Sequence, residues 1–476
     1  MGEKLMKSED ICYMSAYEMV DKIKTQELTS SEITETIIER IEKINPIINA
    51  YCTPTFDLAR EMAKNADNAV QKREKLGLLH GIPSSIKDLI ETKNIRTTFG
   101  CKIYEHNIPK EDEIVVQRLK KERIVLLGKT NTPSFGHKAV TDNFIFGETK
   151  NPWDLKKTSG GSSGGAAAAV ASGLGPLAIG SDGGGSIRIP SCLCGIYGLK
   201  PNYGRIARKF TKIGFYYFSH YGPITRYVKD AALMLDAISG AHSDDKYSFS
   251  KPTFNFLEAL KEIPKDLKIG YSLDLGIAKV INPEIEKNFF DAVKKFEQLN
   301  WKVENVKLKL RKAYRSFVIL VTAGLAFDHK SEVKKWRDKM SPTLLKLIEA
   351  GKGYSSLDIM GAEYQCLKFY NYFNKFFKEY DVLITPTTAV PAFDLGKMFP
   401  QEIADKSVSP ASWMPYTFPF NMTCHPAASI PSGWTQDGLP LGIQIVGNKL
   451  DEKTVLQVSK AFEDLAPWQA KKPNFS

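Results

Sequence analysis

Two glycine-serine loops lie close together in this chain: Ser159-Gly160-Gly161-Ser162-Ser163-Gly164-Gly165, and Ser181-Asp182-Gly183-Gly184-Gly185-Ser186-Ile187-Arg188-Ile189-Pro190. Between them run the alanine-rich stretch 166–171, which reads as a short helix, and the apolar segment 177–179, which reads as a strand. Glycine lets a backbone take positive φ and approach a ligand closely, which serves a tight turn or exposes peptide N–H groups. Close helix packing explains one such cluster; it does not explain two in tandem, each carrying serine. A phosphate cradle does not fit either, because a P-loop needs Gly-Lys followed by Ser or Thr, and that lysine is missing.

The rest of the chain supplies the layers around these loops. Ile33, Ile37, Ile41 and Ile44 recur at helical spacing, Thr29 with Glu32 matches a capping box, and Asn45-Pro46 is expected to stop the run. A second polar helix is expected over 56–75, ahead of Gly77 and the apolar segment 78–90. Strand-like runs at 124–127, 177–179, 267–271, 382–385 and 443–446 then alternate with helical patterns such as 113–121 and 283–299. This alternation predicts an α/β protein with a largely parallel or mixed sheet. With no long linker and no internal repeat, residues 1–476 read as one domain: an N-terminal helical layer (1–75), a core (76–245), a variable helical region (246–380) and a C-terminal part (381–476).

Composition narrows the function. The formal charge of +11 is spread among acids, as in Lys334-Lys335-Trp336-Arg337-Asp338-Lys339, and lacks the concentrated stripe that nucleic acid needs. Seven cysteines, thinly spaced behind a start without an apolar signal core, point to a reducing cytoplasm. No run approaches the ~20 apolar residues of a membrane span. Cys192-x-Cys194 with Cys101 and Cys424 raises zinc, but the spacing is not that of a standard ligand pair, and buried apolar thiols are expected instead.

Two catalytic readings compete. Gly161 to Gly165 satisfies G-x-S-x-G, a nucleophile elbow that would make Ser163 the nucleophile and His425 its base. Lys87, at the end of the apolar stretch His80-Gly81-Ile82-Pro83-Ser84-Ser85-Ile86-Lys87-Asp88, is the other base. It would have to be neutral although a free lysine titrates near about 10.4, and burial beside neutral serines would achieve that. Asp88 would oppose it if its carboxylate faced the amine, but neighbouring side chains in an extended backbone point to opposite faces.

The residues resemble the amidase-signature enzymes. The match runs through Gly81-Ile82-Pro83 to Lys87-Asp88, Lys129-Thr130-Asn131, Asn151-Pro152-Trp153, both glycine-serine loops and Gly198-Leu199-Lys200-Pro201. It continues in His220-Tyr221-Gly222-Pro223-Ile224-Thr225-Arg226 and from Asn421-Met422-Thr423 to Gly447. It is strong over about 78–245 and 380–470 and weak between. The resemblance implies a single large mixed β-sheet covered by helices on both faces. It also implies a Ser-cisSer-Lys triad, with Ser186 the nucleophile, Ser162 the bridging serine behind a non-proline cis peptide, and Lys87 the base. Backbone N–H groups of Gly183, Gly184, Gly185 and Ser186 would hold the oxyanion; Asp182 and Arg188 would support the nucleophile loop, with Ser163 beside it.

Such a triad implies an amidase that cleaves a small-molecule carboxylic acid amide to carboxylate and ammonia or amine through an acyl-enzyme. It would need no metal or organic cofactor and engage neither nucleic acid nor membrane; a homodimer stays open. Loop 132–146 and segment 413–420 are expected to wall the pocket, and their mixture suggests neutral, partly apolar acyl groups. One alternative is the glutamine-hydrolysing A subunit of glutamyl-tRNA amidotransferase, which should carry an aspartate near Met414. A non-catalytic binding protein of the same fold is another. Two departures from the family's pattern, Ser159 in place of a frequent proline and Ser84-Ser85 before Ile86, leave the triad untouched.

Overall fold

The isoleucine ladder becomes the helix Ser30–Ile48 in the computed structural model, which describes residues 7–209 and 218–475. Thr29 and Glu32 form the expected capping box, satisfying two of the helix's orphan amide groups, and Ile33, Ile37, Ile41 and Ile44 are buried. Pro46 does not stop the run. It sits in the last turn, where few further intrahelical bonds remain to be lost, and the helix continues to Ile48. The Asn45 side chain then accepts from the amides of Ala50 and Tyr51, where the chain leaves the helix for the strand Tyr51–Pro54. Helices Ala16–Thr25 and Phe56–Gln71 complete the N-terminal layer.

Eleven strands make one mixed sheet. In chain order they are β1 Tyr51–Pro54, β2 Pro83–Lys87, β3 Val125–Thr130, β4 Leu177–Asp182, β5 Tyr197–Lys200, β6 His220–Thr225, β7 Lys268–Tyr271, β8 Lys302–Asn305, β9 Val382–Pro386, β10 Ala427–Trp434 and β11 Pro440–Gly447. Their spatial order is β1-β3-β2-β4-β6-β5-β10-β11-β9-β7-β8. The β2 strand runs parallel to both β3 and β4, and β7 runs parallel to β8 and β9, while the middle of the sheet is antiparallel. All four sequence segments contribute strands. The region expected to be helical over 246–380 holds β7 and β8 beside the helices Pro283–Glu297, Ala313–Asp328, Pro342–Gly351 and Ser356–Phe376.

Both faces of this sheet are covered. Along β9 the side chains alternate: Val382 and Ile384 join the cluster that includes Ile33 and Ile179, whereas Leu383 packs with Leu344, Phe369 and Phe373 of the later helices. Parallel β2 and β4 place the end of β2, with Lys87, next to the end of β4, where Ser181 and Asp182 lead into the second glycine loop. No helix among the described residues is long and apolar enough to cross a membrane.

Candidate active site

Lys87 closes β2, a strand buried along its whole length, and its side chain is fully buried. Its Nζ donates to Ser162 Oγ at 2.6 Å and to Ser181 Oγ at 3.0 Å, and lies 3.4 Å from the Ser181 carbonyl oxygen. Burial strips water from the amine and pushes Lys87 well below the ordinary lysine value; the Asp182 carboxylate pulls weakly the other way. Asp88 points elsewhere. It accepts from the Thr98 amide at 3.1 Å and the Thr98 hydroxyl at 2.5 Å, with Lys129 as the main positive charge acting on it. The strand's two-residue period thus separates adjacent groups that would have held each other charged.

The first glycine loop reaches Lys87 through a cis Gly161–Ser162 peptide, as the resemblance implies. A side chain at 161 would meet the Val140 backbone at 2.7 Å, so only glycine lets the loop lie this deep. Ser163 stitches the two loops together: its N–H donates to the Ser186 carbonyl at 3.1 Å and its hydroxyl to the Ser181 carbonyl at 3.2 Å. That hydroxyl is spent on backbone. His425, the base the elbow would require, is buried against Phe377 at 5.1 Å, bonds Thr423 through Nδ1, and is pushed down to about 3 by burial. The competing elbow reading lacks its base: packing has placed Ser163 and His425 in different networks.

Ser186 is half-exposed on the second loop, whose shape is set by Asp182. This carboxylate accepts from the amides of Gly185 at 2.7 Å, Ile187 at 3.1 Å and Arg188 at 3.4 Å, and from the Arg188 guanidinium at 2.9 and 3.0 Å. The Gly185 amide is thereby committed, which leaves Gly183, Gly184 and Ser186 of the four expected oxyanion donors. Gly185 adopts φ 130°, and a side chain there would come within 2.4 Å of Thr417 Oγ1. Burial works to raise the Asp182 carboxyl, but the Arg188 charge and hydrogen bonds, with Asn421 and Lys200, together hold the group far below the usual carboxylate range.

Both members of that pair are fully buried, so it is no surface ion pair. Arg188 also donates to the Thr417 carbonyl at 2.8 Å, Gln444 Oε1 at 2.7 Å and Asn421 Oδ1 at 2.6 Å. Asn421 in turn donates to Asp182, and the Thr417 hydroxyl to the Gly184 carbonyl at 2.6 Å. Sequence reasoning missed Ser181, Thr417, Asn421 and Gln444. For Ser181 there was one signal, its place just before Asp182 on a strand end; Thr417 lay in the expected wall segment and Asn421 and Gln444 in the matched block from Asn421 to Gly447, but only the fold shows that they hold Arg188. Replacing Arg188 by methionine strands a buried carboxylate, and Arg188→Met should cost about 3–5 kcal/mol, read by urea denaturation.

The expected walls are present in part. In loop 132–146, the Cβ of any residue at Gly136 would lie 3.1 Å from Ser162 Oγ. In segment 413–420, Thr417 touches the nucleophile loop, whereas Trp413, Tyr416 and Phe420 are core. Phe317, from the helix Ala313–Asp328, presses its ring against Gly184 between Phe218 and Phe418, at centroid distances of 5.7 and 5.1 Å. Cys192 and Cys194 are buried thiols, and the described residues contain no group of three or more His, Cys, Asp or Glu able to hold a metal.

The chain is similar to known proteins over nearly its whole length. A family profile described as amidase matches residues 32–456. The chain is 36% identical to an acylamidase of Rhodococcus erythropolis across 98% of both sequences. It is also 36% identical to the A subunit of the glutamyl-tRNA(Gln) amidotransferase of Sulfurihydrogenibium sp. (strain YO3AOP1), across 96% of this chain and 98% of that one. A solved bacterial aryl acylamidase of the amidase-signature enzymes superposes with a TM-score of 0.90 at 30% identity, covering 96% of this chain and 97% of that chain. The chain belongs to the amidase-signature family, an α/β enzyme class acting on amides.

Proposed function

We propose that the protein is an amidase that cleaves a carboxylic acid amide to carboxylate and amine or ammonia through an acyl-enzyme on Ser186. The observation that carries this reading is the 2.6 Å contact between Lys87 Nζ and Ser162 Oγ in a fully buried setting that favours the neutral amine. Neutral Lys87 takes the Ser162 hydroxyl proton as Ser162 takes the Ser186 proton, and Ser186 Oγ attacks the amide carbonyl. Charge on the carbonyl oxygen falls to the N–H groups of Gly183, Gly184 and Ser186. The proton on Lys87 returns through Ser162 to the leaving nitrogen, which is a poor leaving group until protonated. Water then attacks the ester by the same relay. No step calls on a metal or an organic cofactor.

The glutamine-hydrolysing A subunit is the rival within the family. The place where it should carry an aspartate holds Met414, packed beside Val140, Ile189 and Trp413, so no carboxylate there would pair with a glutamine ammonium. A fluorophosphonate should label the wild-type protein once, and peptide mass spectrometry should find the adduct on Ser186. An adduct on Ser163 would overturn the reading.

A further inference from the structure

We propose that the outer face of the helix Ser356–Phe376 is a self-association seam, against which a second copy of this chain lays the same helix in parallel. The proposal stands apart from the amidase reading. The helix turns Ala362, Cys366, Phe369 and Phe373 to the core. A surface helix ordinarily turns polar residues the other way. Here the opposite face carries Leu357, Met360, Tyr364 and Leu367, exposed to 82, 65, 59 and 53%. Single apolar residues at a surface are common, whereas a continuous row along one helix marks a contact face.

The spacing says what covers it. Steps of three, four and three residues from Leu357 to Leu367 are those of the a and d positions of a coiled coil, and a further step of four reaches Asn371, which is also exposed. Such a row fits a partner helix with the same repeat. An asparagine at a single a position specifies the register, because its amide is satisfied only against its twin. In that register Leu357, Met360, Tyr364 and Leu367 each meet the same residue of the second copy.

The flanks carry matched charge. In a parallel pair the g residue of one helix faces the following e residue of the other, and here these are Glu363 and Lys368. Two-fold symmetry makes that bridge twice, once on each side of the seam. Burial alone pushes the Glu363 carboxyl up, and no cation of its own chain among the described residues pulls it back. Lys368 holds its Nζ 4.6 Å over the Tyr364 ring, at the edge of the seam. Gly361, the preceding e position, is exposed in the helix interior, and a Cβ there would meet nothing within 4 Å. Glycine weakens a helix relative to alanine, and no contact within this chain calls for it; the close approach of a second helix does. An anionic bilayer would have to take up Glu363 and Asn371 beside the apolar row, whereas a second copy pairs both.

Sedimentation equilibrium of the full chain should show a dimer that dissociates on dilution. Tyr364→Glu should weaken association by roughly 100-fold and leave the fold intact, since the side chain lies on the outer surface. Glu363→Lys and Lys368→Glu should each weaken it about tenfold, and an equimolar mixture of the two variants should recover it, because the mixed pair restores opposite charges on both sides. Leu357→Cys should cross-link to its twin on oxidation, above the background of the wild type. A wild type that stays monomeric at about 100 µM would overturn the seam, as would a dimer indifferent to Tyr364→Glu or a mixture that does not recover. Vesicles rich in phosphatidylserine test the other occupant: a monomer that sediments with them and is released by Tyr364→Glu would assign the face to a bilayer and overturn the proposal.

Discussion

Ser186→Ala is expected to lower kcat/KM for amide hydrolysis by a factor of roughly 10⁴ to 10⁶, the range found when the nucleophile of a serine hydrolase is removed. The alanine enzyme should fold as the wild type does. The loop around position 186 is held by backbone amides on Asp182, by Arg188 and by the Thr417 hydroxyl on the Gly184 carbonyl, none of which involves the Ser186 side chain. Thermal denaturation should therefore show little change while turnover and fluorophosphonate labelling both vanish. Residual activity above about 1% would mean that another hydroxyl attacks. Ser163 is the one to suspect, although its proton is directed at the Ser181 carbonyl.

The second large effect concerns Lys87 and carries a pH signature. Lys87→Met should lower kcat/KM by roughly 10³-fold or more, since it removes the base proposed for both acylation and deacylation. On the proposed mechanism only the neutral amine is productive, so activity should be lost as pH falls through the depressed value of Lys87 and retained above it. Stability moves the same way. Burial lowers the Lys87 value in the native state while the unfolded chain protonates it up to about pH 10.4, so between those values the unfolded state binds more protons and folding stability rises with pH. The methionine variant lacks that dependence. Urea denaturation at about pH 7 and about pH 10 should show the wild type gaining on Lys87→Met as pH rises; an unchanged difference would mean that the lysine is charged in the folded protein.

Much of the site was legible because its chemistry is carried by contiguous residues. The two glycine loops could be found as loops since few other residues tolerate such backbone, and a lysine closing an apolar stretch was conspicuous. The capping box at Thr29 and Glu32 was readable for the same reason: its partners are three residues apart and its energy is local. Five strands escaped notice. Tyr51–Pro54, Tyr197–Lys200 and Lys302–Asn305 are four residues each, His220–Thr225 contains Gly222-Pro223, and Ala427–Trp434 opens on two alanines. Segments this short or this small show no periodicity until neighbouring strands supply their hydrogen bonds. Pro46 misled in the opposite sense, because a helix signal read from sequence does not weigh a last turn whose bonds are already ending.

The order of residues along the chain settled which groups exist and the local shapes they favour: serines flanked by glycine, an amine at a strand end, an alanine helix between them. Local rules suffice there, since the energies involved act within a few residues. The fold alone decided which of those groups meet. Parallel pairing of β2 with β4 set Lys87 beside Ser181, and β11 with the segment 417–421 reached back more than two hundred residues to clamp Arg188. Burial then lowered the Lys87 value, an effect of low-dielectric surroundings that many distant segments create together and that no single stretch of sequence contains.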